Sequence, residues 1–175
     1  MNESINSSKH PVWDIYDEYR TARFNVRYYE YLLANLKRWN FWIELIIALS
    51  VSSGITFLWI WSTSAGSIIW KIIITVAAVL SVIKPLVKLS DKIQLNTEVL
   101  TKWRALDADF QKLVISISQN KKYDKYIQSQ FLKLMETKAT IQEPPDAPNN
   151  KLRDRCSKIV QQEIPEDRFF IPEER

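Results

Sequence analysis

Glycine, cysteine and histidine are nearly missing from this chain of 175 residues: two glycines, one cysteine and one histidine. Loops that cradle phosphate, and dinucleotide fingerprints, need several closely spaced glycines so that backbone amides reach the phosphate without a Cβ in the way. Gly54 and Gly66 cannot supply them. A lone Cys156 forbids an intramolecular disulfide, argues against a cysteine zinc site and suits a reducing compartment. A lone His10, in a polar N-terminal stretch, does not furnish a conventional triad or metal cage. The composition therefore predicts no enzyme, no cofactor and no metal.

Long apolar runs, by contrast, are present. Residues 42–61 and 68–86 are each close to the ~20 residues a helix needs to cross a ~30 Å hydrocarbon core, and only the short polar link 62–66 separates them. This pattern predicts a transmembrane helical hairpin within an all-α chain. No basic stretch, apolar run and cleavage site of a removable signal peptide precedes it. Arg20, Arg23, Arg27, Lys37 and Arg38 lie before the first run, Lys84, Lys88, Lys92, Lys102 and Arg104 end or follow the second, and the link is uncharged. The positive-inside rule places both termini in the cytoplasm. The net charge of +4 then belongs to the membrane surface, and no direct contact with nucleic acid is expected.

Around the hairpin the chain reads as amphipathic helices. After a flexible tail (1–11), Val12, Ile15, Tyr19, Ala22, Val26, Tyr29, Leu33 and Leu36 recur every three or four residues and predict one long cytoplasmic helix over 12–40. Trp39, Phe41 and Trp42 would form one aromatic belt of a hairpin spanning 41–89, and Trp59, Trp61 and Trp70 the other. In the cytoplasmic region 90–142, Val99, Trp103, Leu106, Phe110, Leu113 and Ile117 alternate spacings of four and three, a coiled-coil rhythm. Their partner is either the helix over 12–40 or another copy of the chain. A break at 118–122, an amphipathic helix through Tyr123, Ile127, Phe131, Leu134 and Met135, a proline-rich linker (143–150) and an extension (151–175) with a short helix near 152–162 complete the layout. The helices are expected to form a cytoplasmic bundle.

Few side chains invite a specific chemistry. Asp14, Asp17, Glu18, Asp107 and Asp109 fall among Lys and Arg on helix faces and read as solvated charge, and Tyr28, Tyr29 and Tyr31 read as packing and interfacial anchors. Charges within the spans are costly, which singles out Glu44, Lys71 and Lys84. Glu44 and Lys84 fall at one depth and are able to pair; Lys71 and Lys84 otherwise snorkel to the membrane mouths. Glu44, Ala48, Ser52 and Thr56 step by four along the first span, and Thr75, Ala78 and Ser81 offer a comparable surface on the second. Such stripes either pack hairpins closely or line water.

An aromatic-rich helix ending Leu36-Lys37-Arg38-Trp39, a two-span hairpin and a trailing helix through Trp103 to Phe110 resemble the SLATT family of prokaryotic membrane effectors over roughly residues 10–140. The resemblance implies a bacterial inner-membrane protein acting beside a nucleotide-generating sensor or a reverse transcriptase in anti-phage defence, where it opens a pore or disrupts the membrane and halts the infected cell. The expected function is accordingly an oligomeric effector released by a partner or nucleotide signal. The alternative is a non-conducting anchor that docks a soluble partner.

Overall fold

The computed structural model describes residues 10–52, 72, 75–80, 82, 88–144 and 149–172. Among these, all regular structure is helical. Helix α1 spans Val12–Ser52, α2 Leu89–Asn120, α3 Lys125–Ala139 and α4 Asn150–Glu163, followed by a 3-10 turn at Glu166–Arg168. The chain divides into two compact units, one of Met1–Tyr31 with Asn96–Arg175 and one of Leu32–Leu95, so the divisions fall inside the two long helices.

Local chemistry sets the helix ends. Nδ1 of His10 accepts from Val12 N–H at 3.2 Å and Asp14 lies in the first turn, so the residue expected in a loose tail instead caps α1. Lys121 takes a left-handed conformation (φ 51°) and donates its N–H to the Ile117 carbonyl at 2.9 Å, which ends α2. Asp124 then caps α3 by accepting from Ile127 N–H, and Asn149 caps α4 by accepting from Leu152 N–H. The stop expected near 118–122 follows from this turn.

Cross-helix pairs show how the helices of the first unit meet. Arg23 meets Asp107 and Glu30 meets Arg104, so α2 runs antiparallel to α1. Phe110 packs against Phe131 where α3 folds back on α2. Arg27 meets Glu163 at the end of α4 while the Tyr28 hydroxyl meets Asn149 at its start, so both ends of α4 reach one level of α1, and Arg20 meets Glu166 just beyond it. The predicted stripe on α1 is buried from Val12 to Leu33, and Val99, Trp103, Leu106, Phe110, Leu113 and Ile117 are buried within a single chain. The partner for this heptad pattern is therefore internal. Residues 151–175, expected as an extension beyond a linker, contribute the fourth helix: Leu152, Cys156, Val160 and Ile164, each four apart, are buried.

The second unit carries α1 onward without a break to Ser52, and residues 75–80 are helical. Among the described residues no helix is long and apolar enough to cross a membrane. Residues 53–61 of the first run expected to span and more than half of the second, including Thr56, Lys71, Ser81 and Lys84, lie outside the described residues. The described part of this unit still differs sharply from the bundle. Trp39, Phe41, Trp42, Ile72, Val76, Val79 and Val82 are all exposed, whereas the bundle buries most of its large apolar side chains.

Candidate functional site

The first unit is organised around one face of α1 where Arg20, Arg23 and Arg27, spaced three and four apart, reach three different elements. Spacing of this kind puts side chains on neighbouring positions of one helix surface. Arg27 bridges Glu30 (3.1 Å) and Glu163 of α4 (2.6 Å), and Glu30 also receives Arg104 of α2 (2.8 Å). Burial alone would lift the Glu30 carboxyl, but Arg104 and Arg27 outweigh it and hold Glu30 below its ordinary range. Lys138 of α3 pairs with Glu18 on α1. Pairs as exposed as Arg104 and Glu166 contribute at most about 1 kcal/mol each, so their main effect is to select which helices meet and in what register.

The Arg23–Asp107 pair is different. Asp107, read from sequence as solvated charge, is only 7% exposed. Nε of Arg23 lies 3.1 Å from Oδ1 of Asp107, yet neither atom has an aligned hydrogen bond among the described residues. Arg23 also donates to the Tyr19 hydroxyl at 3.3 Å. The two partners respond unequally. Burial raises the Asp107 carboxyl above its usual range and Glu163 and Glu30 add to this, against the opposing pull of Arg23 and Arg27; Arg23 stays firmly cationic despite its own burial. The consequential member is Asp107, because an arginine does not titrate in the working range.

The C-terminal segment closes over the start of α1. The Phe169 ring stacks on Tyr16 with centroids 3.9 Å apart and planes 8° from parallel, Trp13 meets Phe169 edge to face, and the Tyr16 hydroxyl donates to the Phe170 carbonyl at 2.6 Å. Tyr28 accepts from Asn149 N–H at 3.4 Å, and the Arg155 guanidinium lies 4.9 Å over the Tyr31 ring. The tyrosine cluster thus docks α4 on α1. Tyr16→Phe is expected to cost about 1 kcal/mol, because the partly buried Phe170 carbonyl loses its donor. Burial also pushes the Tyr16 hydroxyl above its ordinary pKa, so the stability it adds is present below that value and fades as pH rises through the shifted one. Urea titrations of both proteins at neutral and alkaline pH check this: the variant should show a smaller alkaline loss, since burial also raises Tyr29 and Tyr123, which it retains.

Between α1, α4 and the stretch 141–144 lies a groove of about 720 Å³, with Arg20, Phe24, Trp103, Lys138, Glu143 and Arg153 among its lining. Two of its cations already pair with Glu166 and Glu18. Its walls carry both signs of charge.

Of the expected membrane residues, Glu44, Ala48, Ser52, Thr75 and Ala78 fall among the described residues. Glu44 and Ala48 are exposed on α1, Glu44 accepting from the Asn40 amide at 3.0 Å, and Ser52 ends that helix. Thr75 and Ala78 are exposed, while Ala77 between them is buried. Sequence reasoning missed Asp107 and the C-terminal closure. The regular spacing of Arg20, Arg23 and Arg27 and the four-residue step from Leu152 to Ile164 were the signals available for both. Compared with protein families, curated proteins and solved structures, the chain matches none.

Proposed function

We propose that the chain is an oligomeric membrane effector whose ion-paired helical bundle restrains a bilayer-inserted hairpin until a partner or nucleotide signal rearranges the bundle. The observation that carries this reading is the exposure of Trp39, Phe41, Trp42, Ile72, Val76, Val79 and Val82 in the second unit. A concentration of exposed apolar side chains on this scale marks a surface meant for lipid or protein. The apolar runs 42–61 and 68–86 give that surface a bilayer's length, and the antiparallel course of α1 and α2 in the bundle suits a segment that leaves and returns at one end.

One hairpin cannot enclose water, so conduction requires several copies, with Glu44, Ala48, Ser52 and Thr56 lining the path. The likeness to SLATT effectors rests on this architecture. Carbonate-washed membranes should retain the protein, and protein reconstituted in liposomes should pass ions. Ser52→Leu combined with Thr56→Leu should abolish the flux without preventing insertion. Retention without flux would point to the anchoring scaffold instead, and release by carbonate would overturn the membrane reading altogether.

A further inference from the structure

The described part of the second unit holds a surface that its own packing leaves uncovered. Lys37, Arg38, Trp39, Phe41 and Trp42 occupy one and a half turns of α1 and all are exposed, the three aromatic side chains at 68, 58 and 53%. Phe41 and Trp42 meet edge to face with centroids 5.7 Å apart, so each ring limits the freedom of the other. The same unit contains Lys88 and Lys92 at the start of α2. Among residues 37–44 and 88–92 these four cations stand against two carboxylates, Asp91 and Glu44, and the latter accepts from Asn40.

Aromatic side chains flanked by cations match a bilayer's headgroup layer. Indole rings settle where apolar and wet environments meet, and Lys and Arg are drawn to anionic headgroups. We infer that the collar Lys37-Arg38-Trp39-Phe41-Trp42 binds anionic phospholipid at a bilayer surface, which makes the stability of the inserted protein depend on lipid charge. The inference rests on the membrane reading above and adds to it a preference among lipids.

The test uses the full chain reconstituted in vesicles of phosphatidylcholine alone and of phosphatidylcholine mixed with phosphatidylglycerol, with flotation to confirm insertion and near-ultraviolet dichroism to follow melting. The wild-type midpoint should rise by roughly 5 °C in the anionic vesicles, since a ligand that binds only the folded protein stabilises it. That rise should shrink in high salt, which screens exposed charge. Lys37→Gln with Arg38→Gln should float with both vesicles and lose the difference between them. Equal wild-type midpoints, or a difference the double variant keeps, would overturn the inference. If midpoints are equal and Trp39→Cys chains cross-link to each other, the collar is an interface between copies. Failure to float with either vesicle would instead sink the membrane reading, and so is distinguishable.

Discussion

Phe110→Ala should remove about 4 kcal/mol from the bundle, the largest single loss expected in the molecule. Phe110 is fully buried on α2 and its ring lies 6.3 Å from that of Phe131 on α3, so truncation opens a cavity where two helices join. Neighbouring side chains collapse only partly into such a space, and the lost contacts add to the lost transfer energy. Against a total stability of roughly 5–15 kcal/mol, this decides whether the bundle stays folded at growth temperature. Ile115→Ala, at a half-exposed position of the same helix, should stay within about 0.5 kcal/mol. Urea titration of both variants at several protein concentrations is the measurement. Because the stripe is buried within one chain, the loss should not vary with concentration; a concentration-dependent loss would assign Phe110 to contacts between copies.

Arg23→Met is the second large effect, at about 3 kcal/mol near pH 7, because it leaves the Asp107 carboxylate buried without its closest cation while Glu30 and Glu163 remain nearby. The sign of its pH dependence follows from Asp107. In the folded protein burial already holds that carboxyl above the ordinary value it has in the unfolded chain, and between the two values the folded state binds more protons. Stability from this group is therefore complete below the unfolded pKa and declines as pH rises through the folded one. Removing Arg23 raises the folded value further, so the deficit of the variant should be greatest at neutral pH and shrink on acidification. Adding Asp107→Leu should recover most of the loss, since apolar residues replacing a whole buried pair are tolerated. Denaturation of the single and double variants at neutral and mildly acidic pH gives the comparison. A deficit independent of pH would remove Asp107 from this account.

The positions that face inward were legible along α1 and α2 because helical periodicity is written into the spacing of apolar residues. Val12, Ile15, Ala22 and Tyr29, and likewise Val99, Trp103 and Leu106, are buried as their three- and four-residue steps required. The same logic applied to Asp107 failed. It sits one residue from Leu106 on the edge of the buried stripe, and a charge there is solvated or enclosed according to which helix is packed beside it. Here that helix supplies Arg23. The role of residues 151–175 was hidden for a related reason: a short, strongly polar helix after several prolines carries too few apolar side chains to announce a partner, although Leu152, Cys156, Val160 and Ile164 are enough to bury one edge.

What the sequence determined by itself is the helical character of the chain, the inward faces of its two long helices, the turn near residue 121 and the concentration of apolar residues in its middle. All of these follow from interactions over a few residues. The tertiary structure decided which faces meet: that α2 pairs with α1 of the same chain, that the C-terminal segment closes on Tyr16, and that one carboxylate among many is enclosed. Such choices join positions far apart along the chain, 154 residues for Tyr16 and Phe170, and the energy that makes them comes from surfaces that exist only once the helices have packed.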